Sequence, residues 1–509
     1  MSALARARRL TMVAAMTLVS PVFAGDPQPV PASPSFVIVQ LDDWSATSLL
    51  EHLNGDPGSS GVPTLEQLAI DLDLSVARFF SCFVAQPACA PSRVSLLRGQ
   101  WTHRTGIRRN QPVPPESLDG GLEGYVGRGL HLENLATWLD DAGYKTAHIG
   151  KFLNYLDGVV PSPPVPAPDE LGIEPLPGWD EWHSVQRYGI GGYLWVTLSR
   201  NGSLVDLGPA YSTDVYRDIA VDIIEDTPLE EPLFLHFCPS APHAPALPAT
   251  RHEGRRPGVV VPRPPQNPAW LEPDVSDKPS FIQGRPLAAP EVIDTYDSLY
   301  RDTSNCLSSV SEAIVALLQA LDRTGRLEST LVLVTSDNGW SFLDHRTQGK
   351  GETYLSSIRV PLLVVGKNRN MVATGIRMQL VSYIDITATL VDLSGATVSP
   401  GYRLDGVSFA SVLADPFAPS ARRDTLVLSG VGRSEPSPNP LRRPDWASLV
   451  TAVDHPELPP LRYSEYSNGE KELYFLRSDP FELENAANDP RHEELLQVLA
   501  ARLAELRQL

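Results

Sequence analysis

Cys89-Ala90-Pro91-Ser92-Arg93, followed by Leu96-Leu97-Arg98-Gly99, gathers a thiol, a hydroxyl and a guanidinium within a few residues. That set offers a nucleophile with a cation beside it. Asp42-Asp43 and Asp337-Asn338 offer different chemistry: oxygen ligands for a hard cation, Ca²⁺ ahead of Mg²⁺. Each pair alone also reads as an ordinary turn, because Asp and Asn favour turns. Lys151 after Gly150, Lys350 after Gly349, and His243 in Ala241-Pro242-His243-Ala244-Pro245 add groups that bind an oxyanion or move a proton. A lone histidine is usually structural, but one held between prolines just after an apolar run is positioned. Several common motifs are absent. His252-Glu253 and His492-Glu493 lack the second histidine of a zinc helix, and there is no Walker loop and no G-x-S-x-G turn. Ser95 stands where a phosphatase-type Cys-x5-Arg loop would need arginine.

Elements must hold these groups. Phe36–Val39, Leu233–Cys238, Leu331–Thr335 and Pro361–Val365 are short apolar runs that predict buried strands. Helical patterns over Leu132–Ala142 and Val310–Leu321 lie between them. This alternation predicts an α/β fold: a large mixed, mostly parallel sheet flanked by helices. The acidic pairs directly follow strands, where open α/β sheets carry their sites. Three proline-rich stretches, Val160–Pro177, Arg256–Pro290 and Ser434–Pro444, read as long surface loops that could wall a cleft. Beyond about Asp415 the pattern changes. Ala447–Val453, Leu461–Tyr466 and Glu472–Leu476 predict a smaller antiparallel sheet, and Glu493–Leu506 a terminal helix. The expected organisation is a signal peptide over 1–24, a catalytic domain over 33–415 and a small α+β subdomain over 416–509.

The chain has 509 residues, 42% apolar and 20% charged, so it has ample material for a core. Its 48 prolines are about twice the usual share, which favours ordered loops on a scaffold over a helical bundle. Net charge −19 argues against a general nucleic-acid binder. Arg6, Arg8 and Arg9, then Leu10–Phe23, then Val22-Phe23-Ala24 read as a cleavable export signal. Without those three arginines the charge is −22 instead of −19. No other apolar run approaches membrane-spanning length, so a secreted or periplasmic protein is expected. Four cysteines, Cys82, Cys89, Cys238 and Cys306, are too few for a disulfide framework and leave room for one or two bridges.

The Cys89 motif resembles the signature of the type I sulfatases, whose cysteine is converted to formylglycine by a generating enzyme during maturation. The match implies a hydrated aldehyde at position 89. One of its hydroxyls attacks sulfur and the other later expels sulfate. The resemblance makes Asp42, Asp43, Asp337 and Asn338 Ca²⁺ ligands together with the modified Cys89, and makes Arg93 a brace for the nucleophile. Gly143-Tyr144-Lys145-Thr146 with Gly150-Lys151 resembles the second family signature, with Lys151 on the sulfate. His243 would contact sulfate or protonate the leaving oxygen, and Lys350, in Gln348-Gly349-Lys350, would bridge sulfate and leaving group. His345 lies between the Asp-Asn pair and Lys350 and is an expected substrate contact. Gly150-Lys151-Phe152-Leu153-Asn154 resembles the N-acetylglucosamine-6-sulfatase and heparan endosulfatase branch, which implies Asn154 as a further substrate contact. The chain departs from the family pattern at Arg98, Leu153, Leu355 and Ala388. The resemblance runs from about Pro34 to Asp489.

The expected activity is hydrolysis of a sulfate ester, on a sulfated small molecule or a sugar such as 6-O-sulfated N-acetylglucosamine. The acidic balance favours small or exo-cleaved substrates over a heparan-wrapping surface. A phosphate or phosphonate ester hydrolase on the same scaffold, and a noncatalytic sulfated-glycan-binding relative, are the alternatives.

Overall fold

The computed structural model describes residues 33–46, 65–113, 117–154, 172–429 and 442–508. The expected export signal and most of the first and third proline-rich stretches lie outside these residues. The large sheet is built from β1 (Ser35–Leu41), β2 (Ser75–Phe83), β3 (Lys145–Gly150), β4 (Glu181–Arg187), β5 (Thr197–Arg200), β6 (Ser203–Asp206), β7 (Leu233–Cys238) and β8 (Thr330–Ser336). After a two-stranded hairpin, β9 (Ser341–Phe342) and β10 (Gln348–Gly349), come β11 (Arg359–Gly366), β12 (Gly375–Arg377) and β13 (Val381–Ser382). The order is β12-β2-β11-β8-β1-β7-β3-β4-β5-β6, with β13 also on β2. The centre, from β8 through β4, is parallel. By contrast β11 runs antiparallel to both its neighbours, and β5 and β6 close the far edge as antiparallel strands.

Every residue of β1 is buried, as a central parallel strand covered on both faces requires. Its alternation divides the core. Val37, Val39 and Leu41 face one hydrophobic cluster, and Phe36 and Ile38 the other. The second face is covered by α1 (Cys89–Arg98) and α2 (Leu135–Asp141). The first is covered by α3 (Ser212–Asp226) and α4 (Pro290–Arg323), and α5 (Tyr383–Ser394) joins the second. The pattern over Val310–Leu321 is thus only the inner part of a 34-residue helix that starts with proline at its first turn. This is the one helix among the described residues long and apolar enough to cross a membrane, yet Leu307, Val310, Ile314, Leu317 and Leu321 are spent in the core. The pattern over Leu132–Ala142 splits into a 3-10 turn at Leu130–Leu132 and α2, because Asn134 caps the helix in between.

The C-terminal sheet is antiparallel, in the order β14 (Asp424–Leu428), β15 (Trp446–Thr451), β16 (Leu461–Tyr466), β17 (Lys471–Phe475), and α6 (Glu493–Leu506) packs on it through Leu499, Leu503 and Leu506. Its other face carries Val427, Trp446, Val450 and Tyr474 against Phe83, Tyr354 and Ile358. The Arg256–Pro290 stretch, expected as surface loop, is irregular apart from Ser280–Gln283, but it buries Val261, Leu271, Val275, Phe281 and Ile282. Its scattered apolar residues have no period, so they pack without forming a regular element. All four cysteines are buried free thiols, so none of the allowed bridges is formed.

Candidate active site

Leu41 pairs with Ser336 across β1 and β8, so Asp42 and Asp337 leave the sheet side by side at its carboxyl edge. The Asp43 N–H donates to Asp337 Oδ1 at 3.2 Å, and Asn338 Nδ2 donates to Asp43 Oδ1 at 2.6 Å. Asp43 has φ +67°, a left-handed conformation that Asp tolerates better than most residues.

Cys89 opens α1. Its Sγ lies 3.6 Å from Asp42 Oδ1 and 2.7 Å from Lys350 Nζ. Arg93 is four residues on, hence on the same helix face. It donates from Nε to Asp337 Oδ2 at 2.7 Å and from Nη1 to the Lys151 carbonyl at 2.7 Å. That spacing is the physical content of the Cys-x-x-x-Arg motif. Lys151 directly follows β3, and its Nζ bonds Asp42 Oδ2. Gly150 before it has φ +100°, and a Cβ there would stand 2.0 Å from the Cys238 carbonyl oxygen. Only glycine lets β3 hand Lys151 into the site so close to β7. Lys350 leaves the β9–β10 hairpin, and its Nζ also bonds Asp43 Oδ1. His243 follows β7. Its Nε2 lies 3.5 Å from Asp43 Oδ2, and its Nδ1 lies 2.6 Å from the Ala244 carbonyl. The His243 side chain is 36% exposed while Asp43 beneath it is 3% exposed, so the histidine stands at the mouth.

The electrostatics keep both lysines charged. Burial works to neutralise Lys151, but Asp42 and Cys89 override it and raise its pKa. Lys350 is raised in the same way, chiefly by Asp43. Burial would lift the Asp42 carboxyl, yet Lys151, His243, Arg93 and Lys350 together hold it well below the usual range. Asp337 goes the other way: burial and then the charge on Asp42 raise it against the pull of Arg93. Burial pushes the Cys89 thiol up to about 11, only partly offset by Lys151 and Lys350.

The fit to a cation can be tested on the acceptors. Asp43 Oδ2 and Asn338 Oδ1 are buried with no hydrogen-bond donor, which is costly for such oxygens. Ligand atoms of Asp42, Asp43, Cys89 and His243 lie within 4.8 Å of one another. Asp337 stands outside that group, its two oxygens accepting from the Asp43 N–H and Arg93 Nε, while the carboxylates of Asp42 and Asp43 and the free Asn338 Oδ1 are the oxygens that suit a hard divalent ion. A second group, His148, His236 and Cys238, lies in the sheet below. There the imidazoles bond each other at 3.3 Å, the Gly150 carbonyl at 3.3 Å and Gln40 at 2.9 Å. Burial pushes His236 down to about 3, so this chain of neutral rings reads as support for the strands.

Two expected substrate contacts make no hydrogen bond to this cluster among the described residues. His345 is buried, bonded through Nδ1 to Glu272 at 2.7 Å and stacked on Tyr354 at 4.1 Å. Asn154 keeps its carbonyl on the Leu122 N–H at 2.7 Å, and its buried Oδ1 has no donor. Three neighbours went unnoticed in the sequence. Tyr188 is half-buried with its hydroxyl turned inward, near Lys151, Asp42, Arg93 and Cys89, and burial pushes its phenol up to about 12. The Trp340 ring lies 6.0 Å from Lys350 Nζ. Asn110 Oδ1 accepts the Ala90 N–H at 3.1 Å. Trp340, two residues after Asn338, was the findable one; Tyr188 and Asn110 belong to no motif. The departures at 98 and 355 have local explanations. Arg98 is buried, bonded to the Leu130 carbonyl at 3.1 Å and to Gln100, and set 4.7 Å over the Tyr402 ring. The Leu355 N–H donates to Glu482 Oε2 at 2.8 Å, so a carboxylate reaches this point from elsewhere in the chain.

A family model described as Sulfatase matches residues 34–396, most of the chain. The chain belongs to the sulfatase family. It is a sulfuric ester hydrolase by that membership. Among relatives of this sulfatase, an arylsulfatase of Volvox carteri is 27% identical over 90% of this chain and 72% of its own. An N-acetylglucosamine-6-sulfatase of Capra hircus is 28% identical over 84% of this chain and 77% of its own. A solved structure of a protein in complex with its substrate D-glucosamine-2-N,6-O-disulfate shares the fold, with TM-score 0.71 and 19% identity over 94% of this chain and 98% of that one.

Proposed function

We propose that this sulfatase is exported and Ca²⁺-dependent, and that it cleaves a sulfated sugar, such as 6-O-sulfated N-acetylglucosamine, through a formylglycine made from Cys89. The observation that carries the reading is the convergence of Lys350 Nζ, 2.7 Å from Cys89 Sγ, with Arg93, Lys151 and the acidic pairs. The sugar class is supported by the glucosamine-6-sulfatase relatives and the substrate held by the structural neighbour.

Asp42, Asp43, Asp337 and Asn338 would hold Ca²⁺, which would offset negative charge beside residue 89. Formylglycine at 89 would supply, as a hydrate, one hydroxyl to attack sulfur and another whose deprotonation releases sulfate. The chain's own residues do the rest. The Lys151 and Lys350 ammoniums bind the sulfate oxygens and stabilise charge as it builds on them. Arg93 clamps Asp337 and the Lys151 carbonyl, which fixes two parts of the site with one guanidinium. The Ala244 carbonyl accepts the Nδ1–H of His243, which leaves Nε2 as the atom that gains and gives up a proton. Asp43 stabilises the imidazolium, and Nε2–H protonates the departing alcohol oxygen.

The test is a peptide mass spectrum of protein from its native host. Trypsin releases Phe79–Arg93, with Cys82 as internal control for Cys89. The expected result is an aldehyde at 89 and a thiol at 82, in protein beginning at Gly25 that hydrolyses N-acetylglucosamine-6-sulfate. An intact thiol at 89 in exported protein overturns the formylglycine route.

A further inference from the structure

A cavity of about 350 Å³ opens beside the nucleophile turn. Its wall includes Ala88, the residue before Cys89, and Gly351, the residue after Lys350. Consecutive Cα atoms are about 3.8 Å apart, so the cavity starts next to the two residues whose side chains meet at the reacting centre. Arg108, Arg109 and Arg443 line it, and none of the described residues that line it is acidic. In a chain of net charge −19, three guanidiniums on one wall are a local concentration of positive groups.

The three guanidiniums are held differently. Arg109 pairs with Asp119 at 3.1 Å, and Arg443 lies 3.5 Å from Glu352. Arg108 is exposed, and no carboxylate among the described residues forms an ion pair with it. Its backbone is nevertheless anchored: the N–H donates to the Asp119 carbonyl at 2.7 Å, and the carbonyl accepts Gln86 Nε2 at 2.7 Å. A fixed backbone carrying an unneutralised cation is ready for an anion from outside. Arg443 reaches the Lys350 loop because Gly351 has no side chain. A Cβ there would stand 2.7 Å from the arginine Nη1, and φ at Gly351 is +97°. Arg108 and Ser429 also line a second cavity of about 330 Å³ that continues to His103 and Arg507 and carries the carboxylates Asp445 and Glu465, so the anion-binding character is confined to the first cavity. The depression therefore extends beyond the space one sulfate group would fill.

We propose that the Arg108–Arg109–Arg443 cavity is a second anion subsite, taking a further sulfate or a carboxylate of the same substrate whose sulfate ester is cleaved at residue 89. This rests on the sulfatase reading and narrows its substrate class to sugars with at least two anionic groups. Guanidinium forks suit both oxyanions, since each can accept two parallel N–H bonds. A compact subsite also reconciles a polyanionic substrate with an acidic protein: the charge is concentrated where the second group lies.

The experiment compares kcat/KM for the formylglycine-containing enzyme, Arg108→Ala, Arg443→Ala and Arg108→Lys. The substrates are N-acetylglucosamine-6-sulfate, glucosamine carrying a second sulfate, a monosulfated disaccharide with a uronate carboxylate, and 4-nitrophenyl sulfate. The expected result is a preference for one dianionic sugar over the monosulfated one. That preference ratio falls about tenfold in each alanine variant, through KM, and is partly restored by lysine. Preference for the disulfated sugar identifies a sulfate, and preference for the uronate disaccharide a carboxylate. Turnover with a ratio near one, or a ratio unmoved by either alanine, overturns the subsite and leaves the sulfatase reading standing. Failure of the wild-type enzyme to cleave any of the four esters overturns both.

Discussion

His243 is the one member of the cluster at the mouth, and its Nε2 faces both Asp43 and the exit. A proton donor matters in proportion to how poor the leaving group is. His243→Ala should therefore lower kcat on a sugar sulfate by about 10²–10⁴-fold, and lower it far less on 4-nitrophenyl sulfate, whose phenolate leaves without a proton. Equal losses on both substrates would assign the histidine to sulfate binding instead. The unsatisfied acceptors make a second case. Asp43→Ala removes one of them and a partner of Lys350. The native protein should carry bound Ca²⁺ by elemental analysis and gain thermal stability when Ca²⁺ is added. The variant should lose both. The groups in this cluster were legible as residue types in a fixed order: Asp42, Lys151, Asp337 and Lys350 directly follow strands, Cys89 opens a helix, and Arg93 and His243 come within five residues of such points. Tyr188 and Asn110 were not: Tyr188 directly follows β4 and Asn110 lies in a loop, but neither belongs to a motif.

The strands that position the site depend on one close approach and one remote support. Gly150→Ala would force a Cβ against the Cys238 carbonyl at a positive φ, separating β3 from β7 where Lys151 begins. The expected loss is at least about 2 kcal/mol, well above an ordinary glycine substitution, read as a lower melting temperature together with lost turnover. The support is a buried polar network from the C-terminal sheet. Arg462 bonds Glu482 and, at 2.7 Å, Thr353 Oγ1, while the Tyr354 hydroxyl donates to Glu472 Oε1 at 2.9 Å. Glu482 also accepts the Leu355 N–H, so the segment just after Lys350 is fixed from outside its own neighbourhood. Glu482→Ala leaves Arg462 buried without its closest partner and should cost about 3–5 kcal/mol. Denaturant unfolding checks the cost, and Glu482→Gln should be the milder change. Central strands were readable because burial on both faces makes them continuous apolar runs. The two-residue strands that carry Lys350 were not, since such short segments hold no pattern. The first half of α4 was not readable because none of residues 291–299 is fully buried, so its apolar pattern is weak.

At the scale of the molecule, the pattern change near Asp415 marks a change of architecture, and the packing runs straight across it. Trp101, Ala85 and Ile384 share a cluster with Leu426, Leu449 and Leu503, and Phe83, Tyr354 and Ile358 share another with Trp446 and Tyr474. The sequence could suggest where the sheet type changes, but not that its two faces would be divided between α6 and the Lys350 loop. Removing residues 416–509 would expose Phe83, Trp101, Tyr354, Ile358 and Ile384, all buried in the whole chain. At roughly 1.5–3 kcal/mol each, the loss is on the order of 10 kcal/mol, comparable to the entire stability of a typical domain. No disulfide within the chain can join the two parts, since all four cysteines precede Asp415. Cohesion therefore comes from this packing and the Arg462 network. The expected outcome is a single calorimetric transition for the whole chain, unmoved by dithiothreitol, and an insoluble product from a chain ending at Asp415. Two separate transitions, or a soluble and active fragment ending at Asp415, would mean that the shared clusters contribute little and that Lys350 is held by its own hairpin alone.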